Sequence, residues 1–145
     1  YEITTGDWSS DVCSSDLDYA AVIPRFISAA KAGRPLTIYG DGEQTRDFVF
    51  VKDVVQANIL AAMDERHHGE VFNVANQEKV TVNQLASLVL RSLDRKEEGN
   101  IVHQEERKGD VKHSLADISK ARRMLGYAPA YDLKKGLSLT VASMD

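Results

Sequence analysis

Short apolar segments rich in β-branched and aromatic residues alternate with amphipathic helical patterns along most of this 145-residue chain. Residues 36–39 form one strand-like segment, and a Gly-Asp-Gly turn at residues 40–42 ends it. Residues 46–51 also have an extended pattern, a helical pattern then runs to Met63, and a buried-type strand is predicted over residues 71–75. Strands that alternate with helices predict an α/β fold.

The other helices are predicted from apolar spacing and from the residues at their ends. Residues 18–33 and 82–93 have helical apolar spacing, and residues 117–126 and 133–144 are predicted to be helical from the residues at their ends. Short polar side chains accept hydrogen bonds from the free amides of a helix N-terminus. Four residues are expected to act as such caps: Asp53, Thr81, Asp117 and Asp132. A further short extended segment begins at residues 101–102.

Residues 1–17 differ from the rest of the chain. Residues 6–17, with the sequence GDWSSDVCSSDL, resemble the translation of a high-throughput sequencing adapter. We expect residues 1–17 to be an artefact without regular structure, and residues 18–145 to be the natural protein. Residues 1–17 contain the only Cys and the only Trp, together with four acidic residues and no basic residue.

Charge and composition narrow the expected partners and location. Without the four acidic residues of residues 1–17, the net charge rises from −4 to zero. A neutral body argues against nucleic acid or an anionic membrane as the main partner. No apolar run approaches the length of a membrane span, and residues 18–145 contain no cysteine. We therefore expect a cytoplasmic protein.

Two patterns that suggest a dinucleotide enzyme are weak in this sequence. The Gly-Asp-Gly segment at residues 40–42 has Thr45 where a dinucleotide loop needs a third glycine, so it is predicted to be a turn. Tyr131 and Lys135 have the spacing of a dehydrogenase catalytic pair. Tyr131 precedes the expected cap Asp132, so we predict that it packs at a helix entrance.

A metal site is not expected. His67 and His68 lie near Glu65 and Glu70, but adjacent residues cannot easily converge on one ion. These residues are predicted to form a solvated helix end. Arg46 and Arg107 each lie beside a turn, and taken alone they are ordinary exposed charges.

The surrounding sequence resembles the C-terminal half of the extended short-chain dehydrogenase/reductases, the NAD-dependent epimerase/dehydratase family. The similarity is strongest at PLTIYGDGEQTRDFVFV, residues 35–51, and at RKGDV, residues 107–111. It continues in residues 19–26, 53–57, 116–121 and 125–127. Within the family the chain is most similar to 4-epimerases of UDP-glucose and UDP-N-acetylglucosamine.

The resemblance implies roles for residues of a nucleotide-sugar site. The backbone at Thr37 and Tyr39 would bind the uracil. Arg46 and Arg107 would hold the diphosphate, for which the planar, always-charged guanidinium is well suited. Asp110 would bind the ribose hydroxyls.

Ser114 would line the sugar pocket near the C2 substituent. In similar 4-epimerases a small residue at this position admits an N-acetyl group, whereas a bulky aromatic leaves room for a hydroxyl only. The sequence alone also allows Ser114 to be a serine on an exposed turn. We expect the parent enzyme to accept UDP-N-acetylglucosamine or its uronate, alongside or instead of UDP-glucose.

The resemblance further implies that a Rossmann half, absent from this chain, binds NAD and supplies the catalytic Ser/Thr, Tyr and Lys. The expected function is therefore a fragment of a homodimeric UDP-sugar 4-epimerase, inactive alone, with the UDP anchor as its contribution. A nucleotide-sugar decarboxylase or dehydratase of the same family is the enzymatic alternative. A non-catalytic nucleotide-sugar-binding module and a purely structural domain are alternatives of other classes. Apolar surface is expected to be exposed at Val22, at Phe26 and along residues 71–74.

Overall fold

A computed structural model gives the fold and describes residues 22–67, 69–106 and 109–144. The expectations for residues 1–17, and for the first four residues of the helix predicted over residues 18–33, lie outside the described residues.

The described residues form an α/β fold, as predicted. The elements in chain order are α1 (Val22–Lys31), β1 (Leu36–Tyr39), β2 (Thr45–Arg46), α2 (Val51–Met63), a 3-10 turn (Glu65–His67), β3 (Val80–Thr81), α3 (Val82–Ser92), β4 (Ile101–Gln104), α4 (Ser119–Leu125) and α5 (Leu133–Ser143).

The described strands form two small sheets. β1 pairs in parallel with β4, with Leu36 opposite Ile101. β2 pairs antiparallel with β3, with Thr45 opposite Thr81. An isolated parallel bridge also joins Thr45 to His113, so the segment after β4 runs alongside β2.

The larger hydrophobic cluster forms where α1, α3 and α5 pack around β1. It includes Phe26, Ile27, Leu36, Ile38, Leu85, Val89, Leu90 and Leu137. The prediction that Phe26 is exposed is therefore wrong, because this side chain lies between α1 and its neighbours and is only 2% exposed. Val22 is partly buried against the same cluster.

Two of the predicted helix caps are confirmed. The Thr81 hydroxyl accepts a hydrogen bond from the Gln84 amide, and the Gln84 side chain accepts one from the Thr81 amide. This reciprocal pair is the capping box that starts α3. The Asp132 carboxylate accepts from the Lys135 amide at 2.7 Å at the start of α5.

At α4 the cap differs by one residue from the prediction. Ile118, not Asp117, is the N-cap of this helix. Asp117 still supports the helix start, because its carboxylate accepts from the Ser119 amide at 2.8 Å. The helix ends at Gly126, whose φ of 67° places it in the left-handed region that favours glycine.

Asp53 is not a helix cap. α2 begins two residues before it, with Phe50 as an N-cap that makes no side-chain hydrogen bond. Asp53 is instead 1% exposed, and its carboxylate accepts from the amides of Ala130 at 2.9 Å and Tyr131 at 3.2 Å. The carboxylate thus joins α2 to the segment that leads into α5.

The strand predicted over residues 71–75 is also wrong. These residues form neither helix nor strand in the structure, and Val71 is 80% exposed. A strand needs a neighbour with which to share backbone hydrogen bonds. Among the described residues, no backbone–backbone hydrogen bond joins residues 71–75 to another segment.

A second, smaller cluster forms between α2 and α4. Its buried members are Ala57, Ala75, Ile118, Ala121 and Tyr127. Tyr127 is the largest of them, and its hydroxyl donates to the carbonyl of Ala75 at 3.0 Å. α2, residues 72–75 and residues 116–127 therefore share one small apolar cluster.

We expect Tyr127→Phe to lower the free energy of unfolding by about 1 kcal/mol at neutral pH, because the buried Ala75 carbonyl loses its donor. Burial raises the pKa of the Tyr127 phenol, and the negative charges of Asp53 and Asp47 add to this. The unfolded chain would then lose this proton at a lower pH than the folded chain. The contribution of Tyr127 to the free energy of unfolding should be fully present below the pKa of the unfolded chain. It should be lost as the pH rises through the pKa of the folded chain.

Urea unfolding at neutral and alkaline pH measures both effects. The phenylalanine variant should lack this part of the alkaline loss of stability. Equal free energies of unfolding for the parent and Tyr127→Phe at neutral pH would show that the hydrogen bond from the hydroxyl does not stabilise the fold.

Candidate nucleotide-binding site

A small cavity of about 40 Å³ lies where the end of β1 meets the segment after β4. It is lined by Tyr39, Gly40, Asp41, Gln44, Glu106, Asp110 and Lys112. Two of the residues assigned to nucleotide binding, Tyr39 and Asp110, are therefore brought together although they are far apart in the sequence.

One edge of β1 faces away from β4. The amides of Leu36 and Gly40 donate to β4-side carbonyls at 2.8 and 2.9 Å. In a parallel ladder alternate residues bond to the same neighbour. The backbone amides and carbonyls of Thr37 and Tyr39 consequently point to the opposite edge, which is the geometry that a bound base would need.

Other side chains already contact Tyr39. Its carbonyl accepts a hydrogen bond from the Gln44 side-chain amide at 2.8 Å. The Arg25 guanidinium lies 5.4 Å from the centre of the Tyr39 ring, within cation–π distance. Gln44, which the sequence analysis did not identify, therefore fixes the last residue of β1 against the start of β2.

The turn after β1 is locked onto α3. Gly40 and Gly42 have φ of 78° and 76°. A Cβ at Gly42 would lie 2.0 Å from Asn83 Oδ1. The Asn83 side chain donates to the carbonyl of Asp41 at 3.0 Å and to the Glu43 carboxylate at 2.7 Å. The turn leads into β2 and not into a helix, so it is not a dinucleotide loop, as predicted.

Arg46 and Asp110 form an ion pair. Arg46 Nη2 lies 2.5 Å from Asp110 Oδ1, and Arg46 Nη1 donates to the Thr45 carbonyl at 2.9 Å. The two side chains are 26% and 35% exposed. The contact places the residue assigned to the diphosphate directly beside the residue assigned to the ribose.

Backbone hydrogen bonds hold residues 109–114 against β2. The Thr45 amide donates to the Lys112 carbonyl at 2.8 Å, and the Ser114 amide donates to the Thr45 carbonyl at 3.1 Å. The Thr45 hydroxyl also lies 3.1 Å from His113 Nδ1. Ser114 is exposed. Its amide bonds to Thr45, which directly precedes Arg46 in β2.

Asp47 is a second residue that the sequence analysis did not identify. Its carboxylate accepts from the amides of Asn76 at 3.0 Å, Gln77 at 3.1 Å and Ala116 at 3.4 Å. The third bond fixes the chain two residues after Ser114. An acidic residue inside an otherwise apolar extended run was the available signal, because such a carboxylate needs donors when it is partly buried.

Arg107 lies outside the described residues, so its assignment to the diphosphate remains a prediction. Its neighbours in the chain are placed. Glu106 and Asp110 both line the cavity beside Tyr39.

The Tyr131 and Lys135 pair packs at the entrance of α5, as predicted. The Tyr131 ring lies 4.8 Å from the Phe50 ring, between ring centres. Lys135 Nζ lies 4.3 Å from the centre of the Tyr131 ring. Phe50 also packs against Gly136, where a Cβ would come within 3.1 Å of it.

The histidines after α2 give no metal site in the described part of the chain. His68 lies outside the described residues, and His67 Nδ1 lies 3.1 Å from an Asp64 oxygen. The Arg66 guanidinium bonds to the same carboxylate and holds the Asp64 pKa well below its usual range. Among residues 22–67, 69–106 and 109–144, no group of three or more His, Cys, Asp or Glu is placed to bind a metal ion. No helix in these ranges is long and apolar enough to cross a membrane.

The fold matches solved extended short-chain dehydrogenase/reductases. The UDP-glucose 4-epimerase of Thermotoga maritima, solved with UDP-glucose, is 39% identical with a TM-score of 0.81, over 90% of this chain and 41% of that one. The UDP-N-acetylglucosamine 4-epimerase of Methanobrevibacter ruminantium M1, in complex with UDP-N-acetylmuramic acid, is 41% identical with a TM-score of 0.80, over the same shares.

Residues 18–140 match the sequence family of GDP-mannose 4,6-dehydratase. The chain belongs to this family of NAD-dependent nucleotide-sugar epimerases and dehydratases. A curated relative, the UDP-N-acetyl-alpha-D-glucosaminuronate decarboxylase of Bacillus cytotoxicus, is 34% identical over 134 residues, which are 88% of this chain and 41% of the relative. Across such relatives the chain spans between 27% and 41% of their length.

The family uses NAD, and several solved neighbours are NAD complexes. Among the described residues, the strand–glycine turn at residues 40–42 leads into β2 and closes on Asn83, so this turn is not built as a dinucleotide loop.

Proposed function

We propose that this chain supplies the UDP anchor of an NAD-dependent UDP-sugar 4-epimerase. The observation that carries the proposal is the convergence of Tyr39, Arg46 and Asp110 from β1, β2 and the segment after β4. These are the acceptor, cationic and carboxylate groups that a nucleoside diphosphate requires.

Their order follows the order of groups in UDP. The backbone edge of Thr37 and Tyr39 that faces away from β4 would bind the uracil. Asp110, which lines the same cavity as Tyr39, would accept from the ribose hydroxyls. Arg46, in contact with Asp110, would bind the diphosphate that follows the ribose, together with Arg107.

A fixed nucleotide-binding surface suits epimerisation at C4 in particular. NAD held by the rest of such an enzyme would supply hydride removal from C4 of the sugar and hydride return to its opposite face. The hexose must turn over between these two events, so the UDP must stay in place. The hydrogen bonds of Gln44, Asp47 and Asn83 hold the proposed anchor in one geometry before the ligand arrives.

No described residue is proposed as catalytic, and the chain alone is expected to be inactive. The parent is proposed to be a cytoplasmic homodimer that provides activated sugars for polysaccharide synthesis. Decarboxylation of a nucleotide sugar is the second candidate activity, because the chain is similar to the decarboxylase of Bacillus cytotoxicus.

The test is a fusion enzyme that joins the part of the Thermotoga maritima epimerase not matched by this chain to residues 18–145. We expect the fusion to interconvert UDP-N-acetylglucosamine and UDP-N-acetylgalactosamine, measured by chromatography. The unfused chain should produce neither. Tight UDP binding without turnover of any tested sugar would favour a binding module.

A further inference from the structure

A groove with a cavity volume of about 590 Å³ lies between α3 and the start of α5. This volume is within the range of roughly 300–1,000 Å³ that small-molecule sites occupy. Gln84, Leu88 and Arg91 line the groove at helical spacing, so it follows one side of α3 for about two turns, or roughly 10 Å. The groove and the cavity beside Tyr39 have no described lining residue in common.

The base of the groove is apolar. Leu88 of α3 and Leu133 of α5 line it and pack against the larger hydrophobic cluster, and Val80 of β3 is buried beside them. Such a surface can remove an apolar group of a ligand from water. The Ser87 hydroxyl also lines the groove, and no described residue bonds to it.

The charged side chains around the groove differ in whether they have partners. The two acidic ones, Glu78 and Asp132, accept hydrogen bonds from an asparagine side chain and from a backbone amide. Arg91 pairs with an acidic residue outside the groove at 3.1 Å. Lys79 and Lys134 are exposed, and neither ammonium group has a hydrogen bond or ion pair with a described residue. Within the described structure, the charges of the groove that lack a partner are therefore both positive.

We propose that this groove is a second ligand site, which binds a small organic anion that carries an apolar group. The apolar group lies on Leu88 and Leu133, and a carboxylate, sulfonate or phosphate pairs with Lys79 and Lys134. A neutral ligand would leave both ammonium groups without a partner. An inorganic anion would leave the apolar base exposed to water.

The groove adjoins the proposed nucleotide site but is separate from it. Asn83 lines the groove, and its side chain donates to the carbonyl of Asp41 at 3.0 Å. Asp41 in turn lines the cavity beside Tyr39. The turn after β1 therefore lies between the two cavities, and each can be occupied while the other is empty.

An NMR titration of the 145-residue chain with naphthalene-2-sulfonate tests the proposal. We expect the amide signals of residues 84–91 and 132–134 to shift, because these segments line the groove. Two related compounds separate the contributions of ring and charge. Methanesulfonate has the charge without the ring, and 2-naphthalenemethanol has the ring without the charge. Each should bind at least about tenfold more weakly than naphthalene-2-sulfonate.

Charge reversal in the groove should weaken binding of the same probe. The double variant Lys79→Glu with Lys134→Glu is expected to raise Kd at least about tenfold, because both cations become acids. Lys52→Glu with Arg123→Glu makes the same charge change at exposed positions outside the groove. This control should keep Kd within about twofold of the parent at physiological salt, which screens distant charges.

Ser87→Phe changes the shape of the groove without changing its charge. The ring would occupy part of the groove, so this variant is also expected to bind the probe at least about tenfold more weakly. The proposal is overturned if millimolar probe shifts no signals on α3, or if the double lysine variant binds the probe as tightly as its control. Equal binding of 2-naphthalenemethanol and naphthalene-2-sulfonate would overturn it as well. None of these measurements requires UDP binding, so they are independent of the proposed function.

Discussion

Arg46→Ala in the fusion enzyme is expected to weaken UDP binding by about 1.5–3 kcal/mol, which is roughly a ten- to hundredfold rise in Kd. The guanidinium would donate to the diphosphate, and no other described basic side chain pairs with Asp110 in its place. Its loss also leaves the Asp110 carboxylate without its partner. Arg107→Ala is expected to have an effect of similar size.

Isothermal titration calorimetry with UDP measures these effects. Arg46→Lys keeps the charge but not the planar pair of donors, so its Kd should fall between those of the parent and the alanine variant. Arg123→Ala, on the exposed side of α4, is the control and should bind UDP like the parent. Unchanged UDP affinity in both the Arg46 and Arg107 alanine variants would remove these residues from the site.

Ser114→Tyr should change which sugar the fusion enzyme accepts. A phenol ring would occupy the space proposed for the substituent at C2 of the sugar. We expect kcat/KM for UDP-N-acetylglucosamine to fall at least about tenfold more than kcat/KM for UDP-glucose, because only the N-acetyl group needs that space. Ser114 is exposed and held by its own amide, so the backbone there should tolerate the larger side chain.

Steady-state kinetics with both substrates tests this expectation. Ser138→Tyr, an exposed serine on α5, serves as the matched control and should leave both rates unchanged. If Ser114→Tyr lowers both values equally, or neither, Ser114 does not select the sugar.

Features that depend on a few neighbouring residues were predictable from the sequence. The Thr81 and Asp132 caps are satisfied by amides three residues away, so the sequence contains both partners. The same holds for β1 and for the turn that follows it. Apolar spacing together with the residues at helix ends also located the five α-helices of the described residues.

Features that depend on distant partners were not predictable. Asp53 has the position of a cap, yet its carboxylate bonds to amides almost eighty residues later. Residues 71–75 have the composition of a buried strand, but composition does not say whether a pairing strand is present. Phe26 was expected on an open surface because the packing of α1 against α3 cannot be derived from either helix alone.

Only part of the candidate site could be predicted from the sequence. The roles of Arg46, Asp110 and Ser114 came from the family resemblance, and the fold then placed these residues along β2. Gln44 and Asp47 were missed, because their partners are backbone groups that carry no side-chain signal.

The division of the protein into two unequal clusters implies two levels of local stability. α2 and α4 share few buried side chains, whereas β1 lies within the larger cluster of α1, α3 and α5. Sparse burial lowers the free energy of local opening. The layer around α2 should therefore open and close many times while β1, with the proposed uracil-binding edge, stays formed. Nucleotide recognition would then persist while the layer around α2 opens and closes.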